Sequence, residues 1–144
     1  MQFLAKSFSE LSTAELYEIL KSRSEVFLLE QRIVCQDMDD VDYESRHYFI
    51  ENGGRVVAYL RAYHTDERTV KIGRVLTLEH GRGQGRELMN KSIADIRESM
   101  KCEKITVNAQ KQAAGFYAKL GFKPVSGEFL EEGVVHIAME LELR

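Results

Sequence analysis

The sequence predicts an α/β protein in which a mixed sheet is covered by helices. Apolar residues repeat at helical spacing within 12–28 and 84–100, and β-branched and aromatic runs of strand length lie between and after these stretches. No Pro/Gly/Ser linker, internal repeat or low-complexity tract divides the chain. With 144 residues, 44% of them hydrophobic, there is material for one core and little for a second, so residues 1–144 are read as a single domain.

Ser12 announces the first helix. Its hydroxyl can accept from the Glu15 amide while the Glu15 carboxylate reaches back to the amide of Ser12, which makes a capping box. Leu16, Ile19, Leu20 and Phe27 follow on one stripe, so the helix is expected to run to about Leu28 and to lay one face on a sheet. Residues 47–51 and 55–64 flank Asn52, Gly53 and Gly54, a hairpin signal. A third strand over 70–78 follows a polar turn and runs into the glycines at 81, 83 and 85. Met89, Ile93, Ile96 and Met100 then mark one stripe of a helix from Gln84 to about Met100. A short strand over 104–108, a short helix over 113–120 ended by Gly121, and an extended C-terminal strand from Val134 to Leu143 complete the set.

Composition narrows the function. The formal charge is −3, from 20 basic and 23 acidic residues, so a broad electrostatic grip on nucleic acid or anionic lipid is not expected. A small-molecule or peptide partner is. The first eight residues lack the basic stretch and apolar run of a secretory signal, and no segment reads as a membrane span. Cys35 and Cys102 have no Cys or His neighbour at metal-ligand spacing, so no metal site is expected, and reduced thiols in a cytoplasmic protein are the simplest account.

The loop His80-Gly81-Arg82-Gly83-Gln84-Gly85-Arg86 joins a strand to a helix, where backbone amides and the helix dipole favour an anion. It could equally be a tight turn. A dinucleotide fingerprint needs glycine where Arg86 stands, and a P-loop needs Gly-Lys-Ser/Thr in place of Gly85, Arg86 and Glu87, so both of those motifs fail.

What matches is the loop of the GCN5-related N-acetyltransferases, or GNAT family: Gln or Arg, two residues, Gly, one residue, Gly or Ala. Here His80 takes the first place and Gly83 and Gly85 the glycine positions. Upstream, Gly73, Arg74 and Val75 resemble the family's pantetheine-binding strand. Downstream, Gln110 to Phe122 resembles its second signature, with Gln110 where Asn is usual and with Ala113, Tyr117, Gly121 and Phe122 in register. Glu15, Leu16, Tyr17, Arg23, Val26, Phe27, Glu30 and Gln31 are similar to the ElaA-type branch. So are Gln36, Asp37, Asp39, Asp42, Arg46 and His47, and at the C-terminal end Gly133, His136, Ile137 and Met139.

The resemblance implies a mixed, mainly antiparallel sheet with helices on both faces, acetyl-CoA as cosubstrate, and transfer of its acetyl group to an amine by direct attack. It implies that the amides from Gly81 through Arg82, Gly83, Gln84, Gly85 and Arg86 hold pyrophosphate, that Arg74, Val75 and Gln110 belong to the cofactor site, and that Tyr117 protonates the departing CoA thiolate. Arg82 and Arg86 could add side-chain charge to the phosphates, or be plain surface arginines. The amine acceptor and the oligomeric state stay open, a homodimer included. A noncatalytic CoA-binding module is the alternative, since it would need the same loop but no proton donor.

Three further groups have two readings each. The acidic run Asp37, Asp39, Asp40, Asp42 and Glu44 could attract a cationic amine, and is otherwise a solvated loop with Asx turns. Calcium is disfavoured because Val41 and Asp42 stand where an EF-hand needs an oxygen ligand and a glycine. Among the histidines, His47 and His136 rank first as candidates for a general base, against a buried structural role. Glu30 and Gln31 could line the acceptor side or tether the helix end.

Overall fold

Seven strands form one sheet in the order β1-β2-β3-β4-β5-β7-β6 in the computed structural model, which describes residues 1–143. They are β1 (Gln2–Ser7), β2 (Arg46–Asn52), β3 (Arg55–Asp66), β4 (Thr69–Thr77), β5 (Lys104–Gln110), β6 (Lys123–Glu131) and β7 (Val134–Glu142). Neighbours pair antiparallel except β4 and β5, which run parallel. The parallel pair needs a crossover, and α2 (Gln84–Ser99) supplies it.

Helices cover both faces. On one, Leu88, Met89 and Ile96 of α2 and Tyr117 of α3 (Ala114–Lys119) pack with Tyr48, Ile50, Leu60, Ile72, Ile105 and Val107. On the other, Ile19 of α1 (Thr13–Arg23) and Val26 pack with Phe49, Val56, Tyr59 and Leu76. Burial from both sides is why residues 48–50 and 56–60 are apolar without alternation.

The Ser12 capping box is present, with the Glu15 amide donating to Ser12 Oγ at 3.0 Å and the Ser12 amide donating to Glu15 Oε1 at 2.8 Å. Past α1, Ser24–Glu30 winds on as a wider π-helical turn, in which the Gln31 amide reaches the Val26 carbonyl at 2.9 Å. Two strands are additional to the sequence reading. β1 splits its side chains between the faces, Phe3 and Ala5 toward α2 and Leu4 toward α1, so it carries no amphipathic signal. β6 is an exposed edge strand with Pro124, Gly127 and a register shift between Pro124 and Glu128. No helix among the described residues is long and apolar enough to cross a membrane.

Candidate active site

The parallel ladder between β4 and β5 is short. It pairs Thr69 with Lys104 through Ile72 with Val107 and then stops. β4 nevertheless stays on β3 as far as Thr77. Between the pairs Arg61↔Gly73 and Tyr59↔Leu76, β4 spends two residues, Arg74 and Val75, against the single Leu60 of β3, so it bulges. Arg74 takes up the extra length in the left-handed region, at φ 53°. Past Ile72 and Val107 the pairing of β4 with β5 does not continue, so Gly73–Thr77 and Asn108–Gln110 border the opening, here called the cleft, between the two strands.

The glycine loop turns at the end of β4. Gly81 at φ 75° and Gly83 at φ 74° adopt backbone that side chains disfavour, and Gly83 is the N-cap of α2 without any side-chain cap. The bond from the Glu87 amide to the Gly83 carbonyl, at 3.1 Å, opens the helix, so the amides of Gln84, Gly85 and Arg86 precede it as donors without a partner among the described residues. A Cβ on Gly85 would meet Phe116 at 3.5 Å and Thr77 at 3.6 Å, which puts this end of the helix beside the outer end of β4 and against α3.

The loop's side chains do less than its backbone. Gln84 turns inward, with Nε2 3.6 Å from Met1 Sδ. Arg82 pairs with Glu79 at 3.1 Å on the surface. Arg86 instead lines a groove of about 270 Å³ between α2 and α3 with Asn90, Phe116, Lys119 and Leu120. Lys119 is a cation there that the sequence reading did not single out, because it comes to the same groove as Arg86 only once the two helices meet.

Tyr117 is 5% exposed, with Phe116 and Phe122 edge-on to its ring at 5.2 and 5.6 Å. Its hydroxyl has no hydrogen-bond partner among the described residues, and burial raises its pKa well above the ordinary phenol value. The group therefore keeps its proton throughout the neutral range and has it available to donate.

A split parallel pair beside an uncapped helix N-terminus, with a protonated phenol adjoining, agrees with what the sequence comparisons give. Residues 8–143 match the family described as acetyltransferase (GNAT) domain. The chain belongs to the GNAT family. Escherichia coli ElaA is 35% identical over 141 residues, covering 94% of this chain and 92% of its own length. The ElaA crystal structure superposes with a TM-score of 0.91 at 33% identity, over 98% of this chain and 99% of that one. An acyl-CoA N-acyltransferase from Pseudomonas aeruginosa gives 0.88 at 31% identity, over 97% and 98% of the two chains. A GNAT-family acetyltransferase from Elizabethkingia anophelis, solved with acetyl-CoA bound, shares the fold at 15% identity and a TM-score of 0.64, over 99% and 97%. The protein is thus an enzyme of the N-acetyltransferase class.

On the sheet face away from α2, this GNAT chain carries polar groups. Val107, Ala109, Ile137 and Met139 point into the core, so Asn108, Gln110, His136 and Ala138 point the other way. His136 Nδ1 donates to the Val134 carbonyl at 2.7 Å, which leaves the Nε2 lone pair free, 3.7 Å from Glu131 Oε2. Asn108 Nδ2 donates to Glu131 Oε1 at 3.1 Å. Glu30 and Gln31 act as tethers: Glu30 Oε1 lies 2.9 Å from His80 Nε2, and Gln31 Oε1 accepts from Gln110 Nε2 at 3.0 Å.

Two expectations are corrected. His47 is no base: it is buried, its Nε2–H donates to the Asp42 carbonyl at 2.9 Å, and its Nδ1 therefore accepts from the Tyr59 hydroxyl at 2.7 Å. Burial lowers its pKa and keeps it neutral. The acidic run is a solvated loop with an Asx turn only in part: Asp40 and Glu44 are exposed and the Val41 amide donates to Asp39 Oδ1 at 3.3 Å, but Asp42 is buried. Asp42 accepts from Arg23 Nη1 at 2.7 Å and Arg61 Nη1 at 3.1 Å, and Asp39 accepts from both terminal nitrogens of Arg61 at 2.7 and 2.8 Å. Hydrogen bonding to Arg61 brings the Asp39 pKa down to about 2. Burial works to raise that of Asp42, but Arg23 and Arg61 outweigh it, so the net shift is downward. Arg23 and Arg61 lie 19 residues from Asp42 in sequence on either side, so nothing local to the run shows that they converge on it.

Proposed function

We propose that the protein transfers the acetyl group of acetyl-CoA to a small-molecule or peptide amine by direct attack. The observation that carries this is the cleft left where the β4–β5 ladder stops after Ile72 and Val107, beside the free amides of Gln84 to Arg86. The residues fit the cosubstrate. Three free donors suit a pyrophosphate, open strand backbone at Gly73–Thr77 suits the amides of a pantetheine arm, and Arg86 with Lys119 suits further phosphate. The acetyl-CoA in the Elizabethkingia anophelis protein supports the same use of the fold here.

Acetyl-CoA, when bound, supplies an activated acyl thioester. The chain's own part is to orient and to move protons. Tyr117 holds a proton on a hydroxyl with no competing partner, for the sulfur that leaves. His136 presents the Nε2 lone pair on the opposite side of the sheet for the proton lost by the amine, and Glu131 stands ready to stabilise the imidazolium. Free thiols at Cys35 and Cys102 support a reducing, cytoplasmic setting.

Thermal unfolding with CoA, NAD and ATP at equal concentration tests the cleft. CoA should raise Tm most, since a ligand at 100 times its Kd stabilises by about 2.7 kcal/mol. Equal shifts from all three would mean that the loop reads phosphate generically. CoA release from acetyl-CoA, followed over a panel of amines and peptide N-termini, tests the transfer. Tight CoA binding with no amine-dependent release would favour a binding module.

A further inference from the structure

Arg74 is held in a backbone conformation disfavoured for any residue with a Cβ, at φ 53°. Its side chain accounts for how it stays there. Arg74 Nε donates to Asp37 Oδ1 at 2.9 Å and Nη2 donates to the Asp37 carbonyl at 2.9 Å, with Asp39 Oδ2 at 3.4 Å. Asp37 is in turn fixed from the other side. Arg23, 1% exposed, donates to Asp37 Oδ2 at 2.8 Å and to the same carbonyl at 2.9 Å, and is itself anchored on Asp42. A buried guanidinium thus fixes Asp37, and Asp37 fixes Arg74.

The clamp sits where it matters for the cleft. The last β4–β5 pair is Ile72 with Val107, and the bulge begins two residues on. An unbulged β4 would continue along β5, pairing Gly73 with Asn108 and closing the gap. We infer that Asp37 and Arg74 are a positioning pair: Asp37 holds Arg74 left-handed, and the resulting bulge keeps β4 from zipping onto β5. Its functional consequence rests on the reading of the cleft as the acetyl-CoA site. The rival role for Arg74, a direct side-chain contact to the cofactor, predicts a different pattern of substitution effects, because glycine adopts the left-handed backbone unaided.

The test uses the whole chain, with CoA affinity by calorimetry and amide hydrogen exchange without ligand. Arg74→Ala keeps the backbone penalty and loses the clamp, so it should bind CoA about tenfold more weakly, within the range a left-handed Cβ penalty sets. Exchange at the amides of residue 74 and Gln110, which would pair with Asn108 and residue 74 if the ladder continued, should slow as it closes, while core amides of β3 report that the fold is intact. Arg74→Gly should lose less CoA affinity than Arg74→Ala and keep the parent's exchange at these amides, as the penalty is absent. Asp37→Asn should weaken CoA binding in the parent and change nothing further in Arg74→Gly. Equal losses in the alanine and glycine variants, unchanged exchange in Arg74→Ala, or an Asp37→Asn effect that persists in the Arg74→Gly background would each overturn the pair. A parent that binds no CoA would defeat the reading of the cleft, and the exchange measurements would still decide the pair.

Discussion

Tyr117→Phe should separate catalysis from stability, because the two respond in opposite directions. The hydroxyl makes no hydrogen bond among the described residues, so no folding interaction is lost with it. The phenol lies 5% exposed against Phe116 and Phe122, and a buried hydroxyl without a partner costs about 1–3 kcal/mol. Since a little exposure relieves part of that, the gain on removal is put at up to about 1 kcal/mol, or roughly 2–4 °C in Tm for a chain of this size. Catalysis should move the other way: kcat is expected to fall by roughly 10² to 10⁴ while the Kd for CoA stays within a factor of about 2, the pattern of an interaction made in the transition state. Single-turnover measurement of CoA release with the best amine isolates the chemical step from product release. Full single-turnover rate in Tyr117→Phe would remove the phenol from the mechanism, and a fall in Tm with the fall in kcat would assign it a structural role instead.

Two other outcomes follow from the same structure. Ser12→Ala removes one half of the capping box on α1 and should lower stability by about 1 kcal/mol in urea titration, without altering kcat. Asp39 titrates at about 2 in the folded protein and Asp42 below its usual value, so between the unfolded carboxylate pKa near ~3.9 and pH ~2 the unfolded chain binds more protons. Their contribution is complete above that window and is lost as pH falls through it. Asp39→Asn should flatten the acid limb of urea midpoints measured from pH 6 to 2, and a curve identical to the parent's would deny the Arg61 contact its role.

What the sequence made legible is what local chemistry controls. The Ser12 cap, the Asn52-Gly53-Gly54 hairpin and the glycine loop before α2 are each fixed by residues next to one another, and each is found where its pattern stands. The strands that escaped notice are those whose character comes from neighbours. β1 is apolar on both faces because α1 and α2 both reach it, and β6 is polar because nothing covers it. The same division runs through the site. Tyr117 and the glycines lie on contiguous signatures, whereas the Arg74–Asp37 contact spans 37 residues and the Arg86–Lys119 groove depends on the docking of two helices. A charge run such as 37–44 reads as solvated until the arginines that fold onto it are known.

That division also accounts for the two places where this chain departs from its family's signatures. His80, standing where the family has Gln or Arg, reaches Glu30 Oε1 at 2.9 Å. Gln110, standing where asparagine is usual, reaches Gln31 at 3.0 Å. The partners are consecutive residues at the end of the π-helical turn after α1, and the two departures lie beyond opposite walls of the cleft, one after β4 and one at the end of β5. A wider helical turn shifts its last residues relative to a regular α-helix, and a longer amide at 110 extends the reach on the β5 side by one methylene. Glu30 and Gln31 each have a polar partner, one after β4 and one at the end of β5, so the segment that follows α1 reaches both strands without hydrogen-bonding the amides of Gln84 to Arg86 among the described residues.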